Sequence, residues 1–121
     1  MNINGNITAV IQKKTTGRNI IGESTESWSD VGIVLGWLDY SYSAGQSSVN
    51  QYQAKIQDTT HVFLCDWKKW KDATQDASIT SENCRMVIND TVYNVLMIDD
   101  PMELHQHIEI YLKYVGGGLG V

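Results

Sequence analysis

Apolar and polar residues alternate with a period of two in several stretches of this 121-residue chain, and no long stretch shows helical spacing. The clearest alternation covers residues 104–114, where Ile108, Ile110 and Leu112 share one face. Shorter runs cover residues 6–15, 31–42 and 58–67. Because successive side chains of a strand point to opposite faces, each run predicts a β-strand with one buried face.

A hairpin is predicted near the end of the chain. Two apolar runs, residues 84–89 and 91–98, meet at Asn89-Asp90, and both residue types tolerate the positive φ of a tight turn. The second arm is expected to end at Asp99-Asp100, because Pro101 cannot sit in a central strand.

Three segments are less clearly patterned. Residues 18–30 are polar and rich in Ser and Thr, which is typical of a loop or of an irregular hairpin arm around Ile20-Ile21. In residues 41–57, Tyr52 and Ile56 have helical spacing, yet Tyr52, Ala54 and Ile56 also alternate, so a long loop fits best. Residues 67–76 fit either a helical turn or a loop.

Together these patterns predict a mainly β protein, a small antiparallel β-barrel of about six strands with long polar loops. Residues 1–115 are expected to form one domain, and the Gly-rich residues 116–121 a flexible tail. Trp37 is expected in the core, and Gly36 beside it predicts a bulge or a sharp bend.

The charge balance argues against a nucleic-acid grip or a membrane span. The net charge is −5, and Lys and Arg never occur in runs longer than two, so the surface would repel DNA phosphates. No apolar run approaches the length of a membrane helix, and the first residues lack the features of a signal peptide. The two cysteines, Cys65 and Cys84, lie within predicted strands and are expected to be buried free thiols of a reducing compartment.

Histidines provide the one candidate metal cluster. His105 and His107 would project from one side of the last strand, with His61 across the sheet and Asp99 or Asp100 nearby. Such a group could bind zinc, but structural zinc sites show tighter and recurrent ligand spacing. We therefore expect half-exposed strand residues, no metal and no other cofactor.

No catalytic arrangement is predicted either. Asp99 and Asp100 would point to opposite faces of a strand, so a turn fits them better than a carboxylate pair. Cys65 and His61 would lie roughly 13 Å apart along a strand, too far for a nucleophile and its base. The sequence therefore predicts a protein that is not an enzyme.

The aromatic residues suggest contact with other subunits. Trp67 and Trp70 flank two lysines in a polar context, where they either pack locally or contact a neighbouring subunit. The residues that we expect at such an interface are Trp67, Trp70, His105, His107, Glu109 and Tyr111.

Several motifs follow one another in a characteristic order. They are Gly36-Trp37-Leu38-Asp39 before a Ser/Gly/Gln-rich segment, Thr60-His61 opening the next strand, Arg85, Tyr93-Asn94-Val95-Leu96 leading into Ile98-Asp99-Asp100-Pro101, and lastly His107, Glu109 and Leu112. Over residues 7–114 this order resembles the head–tail joining proteins of tailed bacteriophages, also called head-closure, connector or stopper proteins.

The resemblance implies a structural protein of the phage neck, assembled in the host cytoplasm and carried in the virion. It implies a small β-barrel that forms a homo-oligomeric ring below the portal or its adaptor, closes the DNA exit channel after packaging and joins head to tail. The implied partners are other copies of the chain, the portal or adaptor, and a tail-completion or tail protein. DNA would pass through the ring without sequence-specific binding, and no membrane is involved.

The resemblance also implies that the loop after the Trp-Asp strand faces the channel. By position, the channel-facing residues would be Ser41, Tyr42, Ser43, Ala44, Gly45, Gln46, Ser47, Ser48, Val49, Asn50, Gln51 and Tyr52. Two other interpretations stay open. One is a tail-completion protein or another structural protein of the neck or tail, and the other is a monomeric ligand-binding β-barrel.

Overall fold

A computed structural model describes residues 3–40, 59–75 and 77–117. Its strands are β1 (Ile7–Arg18), β2 (Ser24–Tyr40), β3 (His61–Asp66), β4 (Cys84–Ile88), β5 (Thr91–Asp99) and β6 (His107–Gly117). Within these residues a helix, α1 (Trp67–Thr74), follows β3 directly, and a 3₁₀ turn (Pro101–Glu103) precedes β6. The predicted mainly β fold is confirmed, and the segment left open between helical turn and loop is a helix.

The six strands form one antiparallel sheet that closes on itself as a barrel, in the order β1-β2-β3-β6-β5-β4. Closure occurs between β1 and β4, where Val10 pairs with Val87 and Lys13 with Cys84. The hairpin between β4 and β5 turns at Asn89 and Asp90, whose φ angles are 51° and 62°. Closing the sheet pairs strand edges that would otherwise invite other chains.

The core lies inside the barrel and follows the predicted alternation. The largest fully buried side chains are Phe63, Ile11, Met86, Ile88, Ile110, Leu112 and Cys65. On β6, Ile108, Ile110 and Leu112 face inward, as the sequence predicts. β6 continues to Gly117, so the backbone of the first two residues of the predicted tail pairs with β5, while residues 118–121 lie outside the described residues.

The barrel has two different ends, which are defined by β3. At one end, here called the loop end, Tyr40 pairs with His61, and residues 41–60 lie between them in the chain. At the other, here called the helix end, Asp66 leads into α1, and Trp70 of this helix joins the core cluster. The hairpin of β1 and β2 extends from the helix end, where Gly32 of β2 meets the backbone of Ala73.

The structure corrects two expectations for β2. Trp37 is not in the core: it is 42% exposed, and its Nε1 donates to the carbonyl of Ile3 at 2.9 Å. Gly36 is not a bulge; a side chain there would collide with Phe63 and with the backbone of Leu64, so a close approach of β2 to its neighbour explains this glycine. The bulge lies earlier, where Ile11 pairs with Gly32 but Gln12 pairs with Asp30, leaving Val31 as the extra residue.

Both cysteines are buried free thiols, as predicted. Burial raises the pKa of Cys65 and of Cys84 to about 12, and the neighbouring Asp66 carboxylate adds to the effect at Cys65. The folded protein therefore holds both thiols protonated at pH values where an unfolded chain would ionise them. Their contribution to stability is complete below about pH 9 and is lost as the pH rises toward 12.

We expect a thiol reagent at pH 8 to label neither cysteine of the folded protein and both cysteines in denaturant, because the thiolate is the reactive form and both sulfurs are buried. Mass spectrometry of the labelled protein gives the count directly. Rapid native labelling of either cysteine would contradict the buried positions.

Candidate assembly surfaces

The β1–β2 hairpin projects beyond the barrel as a two-stranded ribbon. The pairing of β1 with β4 ends at Lys13, and one further backbone hydrogen bond joins the Lys14 N–H to the carbonyl of Asn83. From there the two strands pair only with each other, as far as Arg18 opposite Ser24. Residues 15–27 are all exposed and are here called the arm. Residues 18–30, for which the sequence allowed either a loop or an irregular hairpin arm, therefore belong to a regular hairpin.

The tip of the arm is a tightly bonded turn. The Asn19 side-chain oxygen accepts from the N–H groups of Ile21 at 3.1 Å and Glu23 at 2.9 Å, and the Asn19 carbonyl accepts from the Gly22 N–H. Gly22 has φ +87°, a conformation that glycine adopts without strain. This turn presents Ile20, which is fully exposed, and Ile21, which is 77% exposed.

A hydrogen-bonded chain fixes the root of the arm to the barrel. The Arg85 Nε of β4 donates to Gln12 Oε1 at 2.7 Å, and Gln12 Nε2 donates to Asp30 Oδ1 at 2.9 Å. The Arg85 guanidinium also lies 4.3 Å from the centre of the Trp28 ring. These contacts join β1, β2 and β4 where the ribbon leaves the barrel, so they fix the angle at which the arm projects from it.

The helix end carries part of the predicted interface. The rings of Trp67 and His105 lie 4.6 Å apart, and the Asp100 carboxylate contacts His105 Nδ1 at 2.5 Å and accepts from the His105 backbone N–H at 3.1 Å. His105 is not a strand residue as expected: its φ is 56°, and β6 begins only at His107. The 3₁₀ turn and the Asp100 hydrogen bonds hold it outside the sheet.

Trp70 packs locally, which is one of the two alternatives left open for it, and does not lie at the surface as the expected interface position requires. Only 5% of it is exposed, because it packs inside the core cluster. Trp67 is half-buried and lies beside His105, so of these two tryptophans it is the one whose side chain another protein could contact. A contact between subunits at this corner stays a prediction.

The remaining predicted interface residues form a row on the outer face of β6. His107 Nε2 lies 3.0 Å from Glu109 Oε2, and the Tyr111 hydroxyl donates to Glu109 Oε1 at 2.7 Å. All three side chains are half-buried. The row is therefore an ordered polar strip whose contact with another subunit is untested.

The histidines do not come together. His61 pairs with Leu112 at the loop end, whereas Asp66, at the far end of the same strand, pairs with His107. Among the described residues, no group of three His, Cys, Asp or Glu side chains is placed to hold a metal ion. His61 instead lies between the rings of Tyr40 at 4.9 Å and Tyr93 at 5.0 Å, and burial lowers its pKa.

Asp99 and Asp100 have different neighbours, as expected for adjacent residues where a strand ends. Asp99 pairs with Glu109 across the ladder, whereas Asp100 bonds His105. Burial raises the pKa of Asp99, with smaller contributions from the carboxylates of Glu109 and Asp100. The predicted channel-facing residues 41–52 lie outside the described residues.

These features define a class of protein: a small closed β-barrel that carries an exposed, apolar-tipped arm and an ordered polar strip on β6. A family model described as phage head completion protein matches residues 4–113. The chain belongs to that family, and its role is a structural one in joining phage heads to tails. No curated protein matched the chain.

Membership agrees with the resemblance that the sequence motifs indicate and points to a component of the virion. In the described part of the chain, no helix has the length and apolar character needed to cross a membrane.

The sequence indicated a hairpin arm around Ile20-Ile21 as an alternative to a loop, but these two residues were not identified as an exposed apolar tip. Ile20 and Ile21 stand between Asn19 and Gly22 in an otherwise polar segment. Asn and Gly are turn residues, so a turn formed by Asn19 and Gly22 puts the two large apolar residues between them at the most exposed point of a hairpin.

Proposed function

We propose that this protein forms a homo-oligomeric ring in the phage neck, below the portal or its adaptor, where it closes the DNA exit channel after packaging and joins head to tail. Membership of the phage head completion family over residues 4–113 carries this proposal. Its proposed partners are other copies of the chain, the portal or adaptor above, and a tail-completion or tail protein below.

The charge and the fold support the ring. The net charge is −5, so a lumen lined by this chain would repel DNA phosphates and let DNA pass without adhering. The barrel is closed by its own strands, so a copy can enter a ring as a preformed unit. The channel-facing role of residues 41–52 belongs to this proposal, and it is supported by the pairing of Tyr40 with His61, the described strand residues on either side of this part of the chain.

Disrupting the gene in the phage tests the proposal. We expect heads that package DNA but then release it and carry no tails, because nothing closes the channel or offers the tail a platform. Nuclease protection measures retained DNA, and negative-stain microscopy counts attached tails; supplying the intact gene from a plasmid should restore both. Tailed particles with protected DNA at normal yield would contradict the proposal. Heads that keep their DNA but lack tails would favour a tail-completion role instead.

A further inference from the structure

The tip of the arm has the properties of a docking element. Its two isoleucines are strongly exposed large apolar residues, whereas the body of the arm is polar, with Thr15, Thr16 and Thr25 among its residues. A hairpin tip that needed only to be soluble would carry polar side chains. The Asn19 and Gly22 turn holds both isoleucines outward instead of letting them fold back on the ribbon.

The ribbon also needs a partner for its own stability. An isolated two-stranded hairpin is at best marginally stable in water. Beyond Lys14 the arm has no third strand among the residues that the structure describes, and it has no apolar face of its own. Contact at the tip would therefore order the arm as well as bury its isoleucines.

A matching groove lies on the same chain, between β2 and α1. Ile33 of β2, 66% exposed, and the half-buried Leu35 line it with Ala73 of α1. The groove has about 430 Å³ of space and is bordered by Lys69 and Asp72. Its floor is apolar, and its rim carries one charge of each sign. Each of these charges has a long ion pair within the chain, Lys69 with Asp66 and Asp72 with Lys68, both at 3.6 Å, so an incoming charge would share or exchange these pairs.

The charges around the tip complement this rim. Arg18 and Glu23 flank the two isoleucines: Arg18 is the last residue of β1, and Glu23 directly precedes β2. Arg18 uses one N–H to bind the Gly22 carbonyl at 3.0 Å, which leaves other donors of its guanidinium available. An arginine facing Asp72 and a glutamate facing Lys69 would fix the direction in which the tip enters the groove.

The tip cannot reach the groove of its own chain. Ile33 lies nine residues into β2 from Ser24, so the extended strand separates tip and groove by roughly 30 Å. A contact between them must therefore join two copies. Because the tip and the groove are different surfaces, the contact is head-to-tail, and a head-to-tail contact whose rotation closes generates a ring.

We propose that the arm tip of each copy inserts Ile20 and Ile21 into the groove formed by Ile33, Leu35 and Ala73 of the next copy. This inference rests on the proposed ring and identifies the surfaces that build it. Burying apolar side chains at the tip supplies the affinity, and the two charge pairs supply the direction.

Cysteine cross-linking on assembled particles tests the contact. The variant carries Ile21→Cys and Ile33→Cys together; both positions are exposed, so folding should be preserved. The natural thiols are buried and stay silent under mild oxidation. The matched control pairs Ile21→Cys with Leu104→Cys, which is 60% exposed but lies outside the groove.

We expect oxidised particles of the I21C/I33C variant to yield a ladder of covalent multimers on a non-reducing gel, and I21C/L104C particles or either single variant to yield none. Three results would overturn the inference while leaving the ring intact: a ring visible by electron microscopy but no ladder, a ladder from the control, or cross-linking of Ile21→Cys to a different protein. Particles without any ring of this protein would instead overturn the proposed function, and the inference with it.

Discussion

Replacing Gly36 by alanine will destabilise the protein by about 3 kcal/mol, the upper part of the range for overpacking a core. A β-carbon at this position would collide with the carbonyl oxygen of Leu64 and lie 2.6 Å from Cζ of Phe63. Neither neighbour can move freely, because Leu64 pairs with Trp37 in the β2–β3 ladder and Phe63 is fully buried. The loss is a large share of the roughly 5–15 kcal/mol that stabilises a typical domain.

Gly17 provides a matched control in the arm. A β-carbon there would meet only the Thr25 hydroxyl at 3.5 Å, an ordinary contact, so Gly17→Ala should change the free energy of unfolding by less than about 1 kcal/mol. Urea unfolding followed by tryptophan fluorescence compares the two variants. Equal stability of G36A and G17A would show that β2 does not approach Phe63 as closely as the structure indicates.

Removing residues 44–55 should leave the barrel folded but abolish DNA retention. Tyr40 and His61 pair directly in the ladder, so the residues that remain are more than enough to connect them. The return into β3 is held separately: the Thr60 N–H donates to the Leu112 carbonyl at 2.9 Å, and the Thr60 hydroxyl accepts from the Tyr114 N–H at 2.8 Å. The strand pairing at this end of the barrel is therefore made by residues outside the deletion.

The functional loss follows from the proposed role of residues 41–52 in closing the channel. Phage carrying the deletion should assemble heads that contain the protein but fail to protect their DNA from nuclease. Replacing residues 44–55 with a Gly/Ser linker of equal length is the control that separates loop length from loop sequence. Heads that contain the shortened protein and keep their genomes at the normal level would refute the closing role.

The sequence predicts the barrel well because its strands are amphipathic. On β6 the period of two places Ile108, Ile110 and Leu112 inside, and the structure agrees. The Asn89-Asp90 turn is equally predictable, since few residue types accept positive φ at two successive positions. Local chemistry determines both features, so no knowledge of distant contacts is needed.

Features set by distant contacts are less predictable. Gly36 is required by Phe63, which lies 27 positions away in the chain, whereas a glycine within the strand pattern suggested a bulge or a sharp bend. Trp37 looked like a core residue from its strand, but its indole N–H is bound by the carbonyl of Ile3 on the outer surface. His105 appeared to continue the β6 alternation, yet the Asp100 hydrogen bonds draw it into the preceding turn.

The sequence predicts the position of some, but not all, of the proposed interface residues on the surface. The sequence identifies the polar row of His107, Glu109 and Tyr111, because alternation alone places these residues outside the barrel. It does not distinguish Trp67 from Trp70, since their separation by three residues places them on similar helix faces and only the tertiary packing buries one of them.

Cryo-electron microscopy of DNA-filled heads, purified from phage with and without this protein, tests the central claim most directly. The account predicts a ring of density below the portal that is present only with the protein, into which copies of the barrel fit with each arm reaching its neighbour. Heads that retain their DNA and show no such density when the protein is supplied would contradict the proposed place in the neck.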